Sequence, residues 1–113
     1  MFNRDLKWSE FSRVDMRAGT VVKAELFEAA TKPALKLWID FGEEIGTLKT
    51  SAQITEKYTP QTIISKQVIA VVNFPSKQIA NIKSECLTLG ALDKNGVVVI
   101  SPDTKVANGT KIS

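Results

Sequence analysis

The sequence predicts an all-β protein, a small barrel of about five strands closed on itself. Three observations carry that prediction. Apolar residues recur at every second position over several short runs, the period of a half-buried strand. Turn-forming residues punctuate those runs at short intervals. The segments suited to helix are few and brief. Closure follows from the first two, because a barrel removes the unpaired strand edges that invite association.

In chain order, residues 7–13 (KWSEFSR) suit one helical turn, with Trp8 and Phe11 three apart on one side. From Val14 the period changes to two. Met16, Ala18, Thr20, Val22, Ala24 and Leu26 fall on one face, and Asp15, Arg17, Lys23 and Glu25 on the other. Gly19 inside this strand marks a bulge or a sharp bend. The stretch LKLWIDFG (35–42) alternates more cleanly, with Leu35, Leu37, Ile39 and Phe41 inward and Lys36, Trp38 and Asp40 outward. Glu43 to Gly46 is a turn, and TLKTSAQI (47–54) a third strand.

Residues 53–59 are expected to form a short helix that stops before Pro60, since a residue preceding proline avoids the helical region. KQVIAVVNF (66–74) is a fourth strand whose continuous apolar run suits a buried position, and ECLTLGAL (85–92) a fifth. Asp93 to Gly96 reads as a hairpin turn with Asn95-Gly96 at its tip, and VVVI (97–100) as a closing strand. Pro102 and Asn108-Gly109 mark the C-terminal turns. Between the fourth and fifth strands, VNFPSKQIANIKSE (72–85) is a polar connection. A five-stranded Greek-key OB fold suits this order and length.

With 113 residues, 43% of them hydrophobic, residues 1–113 are expected to form one domain with a real core. Lys+Arg number 15 against 12 Asp+Glu, a net charge of +3, and the cations are spread without a run. Histidine is absent and Cys86 is the sole cysteine. Imidazole is the usual acid–base group near neutral pH, and zinc sites draw on His or Cys. The expectation is therefore a protein that is not an enzyme and holds neither metal nor cofactor. No apolar stretch approaches the roughly 18 residues of a membrane span. The first ten residues, MFNRDLKWSE, lack the apolar segment of a secretory signal. A cytoplasmic chain without membrane insertion is expected.

Function then falls to a binding surface. An OB barrel offers one sheet face and its adjoining loops to oligonucleotides or other extended ligands. RNA needs cations for phosphate, aromatic faces for stacking and amides for base edges. Candidates of each type are Arg17, Lys32, Lys36, Lys49, Lys77 and Lys83; Trp38 and Phe74; and Gln53, Asn73, Gln78 and Asn81. Each lysine is equally a solvated side chain. Trp38 either covers the barrel rim or a subunit contact, or offers a stacking or peptide surface beside Phe74-Pro75. Asn73 either ties down the turn that follows it or also faces a ligand. Ser84-Glu85 is a turn-stabilising pair or the polar lip of a site. Cys86 occupies an apolar slot, where it acts as a small hydrophobe.

Several strings resemble the CsaA family, a stand-alone branch of the tRNA-binding domain also found in methionyl- and phenylalanyl-tRNA synthetases. VDMRAGTVVKAELFEAATKPALKLWIDFGEEIG is similar to the family's opening, TSAQIT to its Ser-Ser-Ala-Gln-Ile-Thr, and KQVIAVVNFPSKQIANIKSECLTLG to its last barrel strands. Broader tRNA-binding domains read Ser-x-x-Met where this chain has Ser84-Glu85-Cys86-Leu87, which leans towards the CsaA branch. The resemblance implies an OB-fold core and a homodimer built by terminal extensions. It further implies tRNA-binding ancestry and a chaperone role in protein export, with unfolded precursor peptides as partners. The RNA-facing positions it implies are Asn73, Lys77, Ser84 and Glu85, with Ser51, Gln53 and Lys36 nearby. A peptide-binding chaperone without tRNA, or an accessory oligomerisation module, are the alternatives.

Overall fold

A computed structural model describes residues 2–113. Its elements are α1 (Trp8–Ser12), β1 (Met16–Leu26), β2 (Leu35–Asp40), β3 (Thr47–Ala52), α2 (Pro60–Ile63), β4 (Gln67–Val71), β5 (Lys77–Ile79), β6 (Ile82–Ser84), β7 (Leu87–Thr88), β8 (Gly90–Asp93), β9 (Gly96–Val99) and β10 (Lys111–Ile112). The main sheet runs β3-β2-β1-β4-β7 with every pair antiparallel. β10 extends it by pairing with Met16 and Arg17 of β1. The two ends of the path meet where Glu85 N–H donates to Lys49 C=O at 2.8 Å and the Thr50 hydroxyl to Cys86 C=O at 2.8 Å. The result is a nearly closed five-stranded barrel, an OB fold in its Greek-key order.

β2 behaves as its alternation predicts. Leu35, Leu37 and Ile39 are fully buried, and Phe41 follows them into the core beside Val68, Ala70 and Ile63. β1 departs from strict alternation. Its register against β2 shifts between Val21 and Lys23, so Val21 enters the core while Val22 is 51% exposed. The bulge therefore lies two residues beyond Gly19. Its displaced backbone is satisfied from another segment: Val21 N–H donates to Lys66 C=O at 2.9 Å and Val21 C=O accepts from Ser65 N–H at 2.8 Å. Gly19 serves packing instead, since a Cβ there would lie 2.6 Å from Ile39 Cγ2 and 2.7 Å from the Phe41 ring.

The helix expected over 53–59 is displaced. Residues 55–57 form a turn, and the helix begins at Pro60. Thr59 is its N-cap, extended at ψ 167, with its hydroxyl accepting from Thr62 N–H at 3.2 Å. Proline restrains the residue before it from helix but is itself well placed at the first helical position, where its missing N–H costs nothing. The fifth strand also breaks. Leu87 and Thr88 pair with β4, and from Gly90 the chain leaves to form a hairpin with β9. The closing run 97–100 thus pairs with β8 rather than the barrel, except that Ile100 C=O accepts from Ile69 N–H at 3.0 Å.

The polar connection 72–85 is itself folded. β5 and β6 pair through Lys77–Ser84, Gln78–Lys83 and Ile79–Ile82, around a turn in which Ala80 adopts φ 48. The hairpin is anchored by a second small core of Phe27, Ala34 and Ile82, with Ala30 and Ile79 against it. Burying Phe27 and Ile82 is worth about 2 kcal/mol each. The loop between β1 and β2 and the hairpin between β4 and β7 are thereby fixed together on one side of the barrel.

α1 forms as expected, with the Glu10 carboxylate accepting from Lys7 N–H at 2.9 Å. None of its residues is buried, and Trp8 is 87% exposed. No helix among the described residues is long and apolar enough to cross a membrane.

Candidate nucleic-acid interface

Most of the residues singled out in the sequence converge where β3 approaches β7. Two adjoining depressions share Ser51 and Leu87. The first, of about 320 Å³, lies under the β5–β6 hairpin and is lined by Thr50, Ser51, Phe74, Pro75, Lys77, Ile79, Ser84, Cys86 and Leu87. The second, of about 600 Å³, contains Lys32, Ser51 and Gln53 among its walls. The surface thus brings Ser51, Phe74, Lys77 and Ser84 together at one end and Lys32 and Gln53 at the other.

The floor of the first depression is a hydroxyl cluster. Thr50 is buried, and its hydroxyl lies 3.0 Å from Ser84 Oγ while donating to Cys86 C=O. Ser84 is thereby held by the barrel seam. Glu85 fastens the same seam, its carboxylate accepting from Lys49 N–H at 2.9 Å. The pair is structural lip and closure at once. Cys86, behind them, has its thiol pushed up to about 12 by burial, with the Glu85 charge adding to the shift. Such a thiol is inert, as expected of an apolar slot.

Lys36 stands directly across from Ser51 in the β2–β3 pair, and Trp38 across from Lys49. Both point outward from the strand whose alternate residues fill the core. Trp38 does not share a hollow with Phe74 and Pro75, contrary to the expectation of a joint pocket. Instead Lys23 Nζ sits 4.5 Å from the centroid of its ring. Lys36 Nζ lies 3.6 Å from the Glu25 carboxylate and 5.4 Å from the Phe27 ring centroid. Among the described residues no carboxylate lies within 4.0 Å of Lys32, Lys49 or Lys77, which leaves those charges for a ligand.

Two further candidates, Asn73 and Arg17, do structural work. Asn73 ties down the chain before β1 rather than the turn that follows it. Its Oδ1 accepts from Asp15 N–H at 3.0 Å and its Nδ2 donates to Arg13 C=O at 2.7 Å. It lines a neighbouring hollow with Phe74, Pro75 and residues of the N-terminal segment. Arg17 stands apart from all the others. Its guanidinium donates to both oxygens of Asp15, to Glu44 and to Gly109 C=O, and its side chain is only 15% exposed.

Sequence reasoning missed Thr50, Leu87 and Lys23. Leu87 had a legible signal: with Cys86 inward, the next residue of a strand must face out. Lys23 had none, because the bulge decides where its side chain meets Trp38.

Residues 16–111 match the family described as "Putative tRNA binding domain". The chain is also 47% identical to the chaperone CsaA of Bacillus anthracis strain Ames, whose structure superposes with a TM-score of 0.90, covering 96% of this chain and 98% of that one. This chain belongs to the tRNA-binding-domain family, in its CsaA branch. The CsaA chaperone protein of Picrophilus torridus gives 46% identity and a TM-score of 0.91, over 96% of this chain and 99% of that one. A methionine–tRNA ligase of Porphyromonas gingivalis is 33% identical over 109 residues, which is 96% of this chain and 16% of the ligase. The chain spans about a sixth of the length of the curated ligases it matches. The match to the ligases is therefore to a binding module.

Proposed function

We propose that this CsaA-type protein binds tRNA, or RNA of similar structure, on the surface joining the β1–β2 loop, β3 and the β5–β6 hairpin. The observation that carries the reading is the convergence of Lys32, Lys36 and Lys77 with Phe74 and the Ser51 and Ser84 hydroxyls on one side of the barrel. Cations for phosphate, an exposed aromatic face and hydroxyls at the floor are the chemistry that holds unpaired nucleotides. Gln53 and Asn73 flank this surface, and Glu85 shapes its lip.

The protein acts as a homodimeric, cytoplasmic chaperone that keeps unfolded export precursors from aggregating. Phe2, Leu6 and Trp8 support the dimer, as apolar side chains left exposed on an extension that a second copy would cover. Likeness to two proteins described as chaperones supports the activity. No catalytic step is assigned.

The test is a titration of mixed tRNA at low and moderate salt, repeated with an unfolded precursor as competitor. Affinity should fall steeply as salt rises, because phosphate contacts release counterions. Affinity independent of salt rejects the RNA reading. Sedimentation of the protein and of Trp8→Asp tests the dimer, which the variant should weaken.

A further inference from the structure

We propose that Asn95-Gly96, at the tip of the β8–β9 hairpin, is a self-modification site whose isoaspartyl product unlatches that hairpin. The chain's second Asn-Gly pair, Asn108-Gly109, is locked against the same reaction.

The chemistry needs only the chain and water. The Gly96 nitrogen attacks the Asn95 side-chain carbonyl carbon and closes a cyclic imide. The Cγ–Nδ2 bond breaks, the Gly96 N–H proton passes through solvent to the departing nitrogen, and ammonia leaves. Water then opens the imide at one of its two carbonyls. Opening at the side-chain carbonyl gives aspartate. Opening at the main-chain carbonyl gives isoaspartate, whose backbone runs on through the side-chain methylene. A glycine in second place favours closure because no Cβ crowds its nitrogen. Both Asn-Gly pairs meet that condition, so the surrounding structure must separate them.

Asn95 is exposed, and its side-chain amide makes no hydrogen bond among the described residues. Its backbone N–H donates to the Asp93 carboxylate at 3.2 Å. Gly96 forms the last rung of the hairpin with Asp93, and β8 and β9 make a two-stranded sheet apart from the barrel. Val99 N–H donates to the Tyr58 hydroxyl at 3.1 Å, which fixes the base of the hairpin and not its tip. Such a ribbon is marginal by itself, and its end rung opens far more often than a barrel strand.

Asn108 is the opposite case. Its Oδ1 accepts from the Thr20 hydroxyl at 2.7 Å and from Gln67 Nε2 at 3.2 Å. Gly109 N–H donates to Ala18 C=O at 2.7 Å, and Gly109 C=O accepts from Arg17 at 3.1 Å. Ring closure there would have to turn the amide away from β1 and β4 and pull the Gly109 nitrogen off β1 in the same movement.

The isoaspartyl product does not fit the hairpin. Gly96 lies at φ 127, and a Cβ on it would stand 2.7 Å from Glu56 Cβ and 3.2 Å from Lys57 Cγ. A methylene inserted before Gly96 displaces it from that packing and from its rung with Asp93. Leu92, Val97 and Val99 of the hairpin wall the larger depression, so the change reshapes that surface whatever it binds.

The test ages the whole protein in mildly alkaline buffer made with heavy-oxygen water, which labels the carboxyls formed by imide opening. Trypsin in ordinary water then puts the two pairs on separate peptides, residues 95–105 and 106–111. In the folded protein the first peptide should gain label about tenfold faster than the second. In urea the two rates should converge. Asn95→Gln should abolish the gain in the first peptide. The isoaspartyl form, separated by ion exchange, should show faster hydrogen exchange over residues 90–99 than Asn95→Asp, with the barrel strands unchanged. Equal labelling of the two peptides in the folded protein overturns the proposal. Rates that stay apart in urea overturn it too, since sequence and not structure would then set them. Label retained in Asn95→Gln would belong to Asp103 and has the same consequence. Equal exchange in the isoaspartyl and Asn95→Asp forms overturns the unlatching.

Discussion

Lys49 and Glu85, 36 residues apart, exchange two hydrogen bonds that shut the barrel. Glu85 N–H donates to Lys49 C=O at 2.8 Å, and Lys49 N–H donates to the Glu85 carboxylate at 2.9 Å. The side chain thus completes a ladder rung that no neighbouring strand supplies. Glu85→Ala leaves the Lys49 N–H without its acceptor and should lower stability by about 1–2 kcal/mol in urea unfolding. Glu85→Gln keeps an acceptor and should lose less. Equal losses would show that the carbonyl rung alone closes the seam.

Asn73 bridges Arg13 and Asp15 through both ends of its amide. Asn73→Ala should cost about 1–2 kcal/mol and release the segment before β1. Hydrogen exchange at the Asp15 amide reads the release directly, and protection equal to the parent's would contradict it. Asn73→Asp keeps the acceptor for Asp15 and should retain part of that protection.

The Asp15 carboxyl is held below its ordinary value of 3.8, first by hydrogen bonding from the Arg17 guanidinium and then by the charges of Arg17 and Lys111. A depressed carboxylate contributes stability that is full above its unfolded value and is lost as pH falls through the folded one. Acidification below about pH 4 should therefore destabilise the fold through this group. Asp15→Asn should flatten that part of the stability curve below about pH 4. An unchanged acid limb would place the sensitivity elsewhere.

Cys86 is buried, and its thiol is raised to about 12 chiefly by that burial. At pH 8 a disulfide reagent should label it only when the barrel opens, because the thiolate is the nucleophile. The labelling rate should rise with urea in step with unfolding. Rapid labelling of the native protein would mean that the β3–β7 seam breathes locally.

Lys32 and Lys77 line the two ends of the proposed RNA surface without acidic partners within 4.0 Å among the described residues. Replacing either by Ala should weaken tRNA binding and reduce its salt slope by about one. Arg17→Lys should instead lower stability, since the guanidinium fork that meets Asp15, Glu44 and Gly109 cannot be copied by an ammonium. A salt slope altered by Arg17→Lys alone would reverse these assignments.

Periodic burial makes an element readable from its own residues. β2 is the clear case, because one face is wholly core and alternation leaves no other register for Leu35, Leu37 and Ile39. β1 is legible as a strand but not in its facing, since the bulge at Val21–Lys23 is completed by Ser65 and Lys66 from another segment. The β5–β6 hairpin escapes notice because its strands are three residues each and its turn uses Ala80 at positive φ, without a glycine to signal it. Of the candidate residues, Lys32, Ser51, Gln53, Phe74, Lys77 and Ser84 do gather at one surface. Arg17 does not, because acceptors on Glu44 and Gly109 claim it.

Composition, alternation and motif strings suffice for the barrel class and its kinship, since each reflects local propensity or a repeated burial pattern. The roles of Asn73, Glu85 and Arg17 and the hydroxyl cluster under Ser84 arise only on folding. Each depends on partners tens of residues away, and a hydrogen bond between distant segments leaves no trace in the period of either one.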